Sequence, residues 1–116
     1  MNEYTIYCNP IQTRKALELG APIEKDWIPE CLFNNGYFSL RNPTAEQMIS
    51  WLEEQECISE IHIVRGISYA NWCFDGYDKH YTSAFSSNMF YETRKEATLA
   101  AIDAALKYLC ENNLIK

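Results

Sequence analysis

The sequence predicts an α+β fold, a three-stranded antiparallel sheet packed by helices, and three observations carry that reading. Capping-box patterns open helices near 44 and 93, each with an apolar face. Between them, short stretches alternate apolar and polar residues, the period of a strand. The links between those stretches are too short for parallel crossovers, which favours an antiparallel meander. Residues 44–116 therefore read as an α-β-β-β-α core, extended over 1–43 by an N-terminal helix and a β-hairpin. The whole of 1–116 reads as a single domain.

The first helix opens at Asn9-Pro10, an N-cap followed by proline at the first helical position, with Gln12 reaching back as in a capping box. It runs from Pro10 to Leu19 by pattern and stops at Gly20, which tolerates a left-handed cap. Ile11, Ala16 and Leu19 form a modest apolar face. Over 21–41 no helical period survives, because Pro22 and Pro29 interrupt it. Short apolar segments then flank Asn34-Asn35-Gly36, and Asn-Gly between such segments signals a hairpin over about 31–40.

Thr44 and Gln47 open the second helix, on which Ala45, Met48, Ile49 and Leu52 share one face with Trp51 beside it. Glu53, Glu54 and Glu56 crowd its C-terminal end, where the helix dipole disfavours negative charge. Glu60 to Arg65 then alternates as a strand up to Gly66. Ala70, Trp72 and Phe74 alternate with Asn71, Cys73 and Asp75, and Asp75-Gly76 reads as a turn or a bulge. Tyr81 to Phe85 is the third strand. Thr93 and Glu96 cap the last helix, where Ala97, Ala101, Ala104, Ala105 and Tyr108 form a small-residue face widened by Leu99, Ile102, Leu106 and Leu109.

With 116 residues, 47% of them hydrophobic and 14% aromatic, the chain can bury one core and is too apolar for a disordered segment. Its formal net charge of -6 repels phosphate backbones and anionic membranes on average. Five cysteines at wide spacing, with no C-x-x-C, suit free thiols in a reducing cytosol rather than a disulfide framework or a zinc site. No signal peptide and no membrane-spanning apolar run is read, so the expected location is cytoplasmic.

No set of catalytic residues assembles from the sequence, and a non-enzymatic protein without cofactor or metal is expected. The two histidines sit in a strand (His62) and in a polar loop (His80). Cys57 with His62, or Cys73 with His80, match no thiol–imidazole signature. Phosphate-cradling and hydrolase motifs do not occur. The aromatic stretch from Tyr69 to Tyr91 carries more. Trp72 and Phe74 read as core, whereas Tyr69, Tyr77 and Tyr81 fall on the opposite face, as a candidate protein-binding surface or as ordinary cross-strand pairs.

The order α-β-β-β-α resembles that of the double-stranded-RNA-binding domain, with Arg94-Lys95, Ala97, Ala101 and Ala105-Leu106 matching the basic start and alanines of that family's last helix. The resemblance implies phosphate contacts from Arg94 and Lys95. The chain departs from the family at Thr98, where a third basic residue is usual, in the flanking Glu92 and Glu96, and in lacking a Gly-Pro-His loop between the first two strands. Over most of its length the chain also looks like small uncharacterised proteins of prophages and mobile elements in gut bacteria. That likeness runs through the segments Cys8 to Gly20, Pro43 to Leu52 with Ile61-His62-Ile63, and Tyr91 to Leu109.

The leading expectation is thus a non-enzymatic accessory or interaction protein of a phage or mobile element, with a protein partner or a second copy of itself. Nucleic-acid binding through Arg94 and Lys95 is the alternative, disfavoured by net charge. A third reading is an acidic decoy in which Glu53, Glu54, Glu56 and Glu60 imitate phosphates to inhibit a host enzyme.

Overall fold

The computed structural model describes residues 5–21, 43–66, 71–87 and 89–113. In chain order these form α1 (Pro10–Glu18), α2 (Ala45–Glu53), β1 (Glu60–Arg65), β2 (Trp72–Tyr77), β3 (Ser83–Ser86) and α3 (Arg94–Asn113). The strands make an antiparallel meander, β1-β2-β3, so residues from 44 onward have the expected α-β-β-β-α order. The expected hairpin over 31–40 lies outside the described residues.

Each helix start follows from its cap. The Asn9 side chain accepts the Gln12 N–H at 2.8 Å and the Gln12 side chain accepts the Asn9 N–H at 3.1 Å. Thr44 and Gln47 make the same reciprocal pair at 3.1 and 2.9 Å. At α3 the Thr93 hydroxyl accepts the Glu96 N–H at 3.1 Å and donates to the Glu96 carboxylate at 3.2 Å. Satisfying these otherwise orphaned N–H groups contributes about 1 kcal/mol per cap. The first helix ends as expected at Gly20, whose φ of 98° is open to glycine without steric cost.

The core forms where α2 and α3 pack on each other and on the sheet. Met48, Leu52, Ile58, Ile102, Leu106 and Leu109 are all but inaccessible to solvent, and Ile61 and Phe74 come from the inner face of the sheet. The small side chains Ala97, Ala101 and Ala105 let α3 approach closely. Phe85 joins through ring contacts to Phe74 and Tyr108, with centroids 6.5 and 5.6 Å away.

Two features differ from the sequence expectation, and one open alternative is decided. On α1 the buried side chains are Gln12, Thr13 and Ala16, while Ile11 is 67% exposed. The cause is polar: the Gln12 amide donates to the Leu99 carbonyl at 2.8 Å and to Asp103 Oδ1 at 2.9 Å, fastening α1 to α3. Second, the third strand is Ser83–Ser86, not Tyr81 to Phe85. Asp78 captures the chain at Tyr81 and Thr82 in a turn before the ladder begins. Of the two readings of Asp75-Gly76, turn or bulge, the structure shows the bulge. Gly76 is paired within β2 and covered by the Phe85 ring, and the register shifts after it so that Ala84 is the extra residue of β3.

The segment before α1 pairs with the start of α2, a contact no local pattern announces. Tyr7 and Thr44 form an isolated bridge, with Cys8 N–H donating to Pro43 O at 2.9 Å and Ala45 N–H to Ile6 O at 2.7 Å. Cys8 is thereby buried, and that burial, with Asp103 nearby, pushes its thiol up to about 12. Cys8, Cys57, Cys73 and Cys110 are free thiols, and Cys31 lies outside the described residues.

Candidate functional site

The sheet has two ends, and the candidate residues divide between them. At one end β2 finishes at Tyr77 and turns through 78–82 into β3. Asp78 organises that turn: its carboxylate accepts the His80 N–H at 2.8 Å and the Thr82 N–H at 3.0 Å. The backbone adds Asp78 N–H to Thr82 O and Tyr81 N–H to Asp78 O, each at 3.0 Å. The hydrogen bond from Thr82, with that from His80 and the nearby imidazole, holds the Asp78 carboxyl below its ordinary range.

Of the three tyrosines, the structure brings two to this end. Tyr77 is half-buried on the outer sheet face, opposite Glu60, its ring 5.4 Å from that of His62. His62 in turn bonds Glu60 Oε2 at 2.9 Å and pairs in register with Asp75. Tyr81 is not on a sheet face. It caps the turn with its ring 70% exposed and its backbone at φ 59°, the single non-glycine with positive φ among the described residues. Tyr69 lies outside the described residues.

At the other end β1 finishes at Arg65 and β2 begins at Trp72. Trp72 is half-buried rather than core, and the Arg65 guanidinium lies 5.0 Å from its ring centroid. Tyr91 pairs with Trp72 through reciprocal backbone bonds of 2.7 and 2.8 Å and leads directly into α3. Arg94 and Lys95 are both exposed in the first turn of α3, so Arg65 joins them at this end of an otherwise acidic chain. Met89 and Phe90, 60% and 57% exposed, lie on the connection that precedes them. Arg94 also lines a cavity of about 310 Å³ where α2, α3, β1 and the N-terminal segment meet.

The acidic run divides its work. Glu53 accepts the Ile61 N–H at 3.0 Å, which explains a carboxylate at the unfavourable end of α2. Glu60 is bonded to His62, whereas Glu54 is exposed. Neither thiol–imidazole pairing is built: the His62 ring lies against Glu60 and Tyr77, and His80 sits in the turn while Cys73 pairs in register with Val64. Among the described residues no group of three His, Cys, Asp or Glu side chains gathers as for a metal ion, and no helix is long and apolar enough to cross a membrane.

The organising role of Asp78 had a readable signal, since an aspartate opening a short polar loop favours capture of the N–H groups that follow. The Arg65–Trp72 contact had none, because it depends on the register between two strands. No protein-family model, no curated protein and no solved structure matches this chain.

Proposed function

We propose that this is a non-enzymatic interaction protein, of the accessory kind encoded by a phage or mobile element, which meets a protein partner through Tyr81 and the neighbouring Tyr77. The observation that carries the reading is Tyr81. Positive φ costs a bulky residue about 1 kcal/mol relative to glycine, and the ring returns little packing because it is 70% exposed. The turn beneath it is tied down by four hydrogen bonds through Asp78, so the ring is presented with little ordering left to be lost on binding. An exposed tyrosine on a preorganised turn is the kind of anchor that protein interfaces use. The tie to phages rests on the sequence likeness alone.

The test compares wild-type protein with Tyr81→Gly and Tyr77→Ala in affinity capture from cells that express it. Glycine relieves the backbone, so Tyr81→Gly is expected to raise unfolding stability by about 0.5–1 kcal/mol while lowering partner recovery at least tenfold. Unchanged recovery by the stabilised variant would overturn the reading.

A second reading is favoured by Arg65, Arg94 and Lys95 sharing one end of the sheet. It is nucleic-acid binding there, measured by fluorescence anisotropy with duplex RNA and DNA in rising salt. Binding that weakens linearly in log salt and fails in Arg94→Glu, Lys95→Glu would put this reading first, and no binding at low salt would end it.

A further inference from the structure

The geometry points to a binding site for a small apolar α-amino acid, or a closely similar zwitterion, in the cavity beside Arg94. This inference is independent of the interaction surface proposed above. The cavity encloses about 310 Å³, at the lower end of the range for small-ligand sites, which suits a ligand of amino-acid size. Its apolar lining comes from separate elements: Ile6 from the N-terminal segment, Ile49 from α2 and Ile63 from β1. These side chains are half-buried and pack against the buried core.

The polar lining carries one cation, Arg94, and one carboxylate, Glu46. Both are exposed, and neither is joined in a salt bridge to another described residue. Opposite charges that share a cavity without pairing leave both free for a ligand. Arg94 offers the planar fork that matches a carboxylate, and Glu46 accepts from an ammonium group. Thr98 is buried below Arg94, and its hydroxyl donates to the Arg94 carbonyl at 2.7 Å, which leaves its oxygen lone pairs available as a further acceptor. A carboxylate, an ammonium and an aliphatic side chain in one small molecule thus meet the three kinds of lining. A simple fatty acid leaves Glu46 unanswered, and an inorganic anion leaves the isoleucines unanswered.

The site depends on an unforeseen contact. Ile6 reaches the cavity because its carbonyl accepts the Ala45 N–H, which lays the N-terminal segment along the start of α2.

The experiment is a methyl and amide NMR titration of the full chain with three probes: L-leucine, 4-methylpentanoate, which lacks the ammonium, and 3-methylbutylamine, which lacks the carboxylate. Leucine is expected to shift Ile6, Ile49, Ile63 and Thr98 and to saturate at roughly millimolar concentration. Arg94→Gln is expected to weaken leucine and 4-methylpentanoate about tenfold or more, whereas Glu46→Gln weakens leucine and 3-methylbutylamine and leaves 4-methylpentanoate unchanged. Both side chains are exposed, so the fold should survive, and wild-type dispersion of the remaining resonances checks it. Lys95→Gln, next to Arg94 but outside the lining, is expected to change nothing. Failure of leucine to saturate at tens of millimolar, equal response to all three probes, or equal loss in Lys95→Gln and Arg94→Gln would each overturn the assignment.

Discussion

The two ends of the sheet are ordered by different means. At the β2–β3 end a single carboxylate accepts two N–H groups, those of His80 and Thr82, so the shape of the turn is written locally between Asp78 and Thr82. At the β1–β2 end order comes from residues distant in the chain: Tyr91 bridges to Trp72, and the Phe90 ring approaches Gly66. The first end presents one aromatic ring on a stiff turn. The second gathers Arg65, Arg94 and Lys95 around half-buried and exposed aromatics. Local hydrogen bonding makes a small, preorganised feature, and long-range pairing makes a broader surface of mixed charge. The chain separates its acidic run near Glu53–Glu60 from its basic residues because β1 carries Glu60 at one end and Arg65 at the other.

The two glycines beside these ends sharpen the comparison most. A Cβ on Gly76 would lie within the Phe85 ring, which is itself held against Phe74 and Tyr108. Gly76→Ala is therefore expected to lose about 3 kcal/mol in chemical denaturation, from overpacking and the displaced ring. A Cβ on Gly66 would meet the Phe90 ring at 3.1 Å and the Asn71 carbonyl at 3.3 Å, but Phe90 is more than half exposed and can yield. Gly66→Ala is expected to change stability by less than about 1 kcal/mol, the strain being offset by lower entropy of the unfolded chain. Equal losses at the two positions would break the distinction between a buried and a yielding ring.

The smallest expected effect concerns acid. The Asp78 carboxyl titrates below its ordinary value in the fold, so the stabilisation it contributes is present above the unfolded-state value and is lost as pH falls through the folded one. NMR titration should place its midpoint below that of a free aspartate, with the His80 and Thr82 amides moving together with it. An ordinary midpoint, or amides that stay still, would mean the turn is held by its backbone bonds alone.

The chain could be read furthest where structure is local. The capping pairs at Asn9, Thr44 and Thr93 each act within one helical turn, and all three open the helices they predicted. The apolar face of α2 and the alanine face of α3 are likewise properties of a single helix, as is the alternation of β1. The reading failed where a polar side chain chose a distant partner. Nothing near Gln12 announces Leu99 and Asp103, so Ile11 was assigned to the core and Gln12 to the cap alone. The reading also missed one local signal: Tyr81 reads as the start of a strand, whereas Asp78 bends the chain there first.

Of the candidate site residues, Arg94 and Lys95 were legible as the start of a helix, but their company was not. Arg65 reaches the same end through strand register, and Glu46 and Ile63 share a cavity with Arg94 through packing of α2 and β1 against α3. What the sequence alone determined is the α+β class, the order of elements from 44 onward and the start of each helix, because caps and periodicity act over a few residues. Tertiary structure alone decided which end of the sheet gathers positive charge and that Arg94 and Glu46 line one cavity. Those outcomes depend on contacts between residues tens of positions apart, whose partners are chosen by packing and strand register.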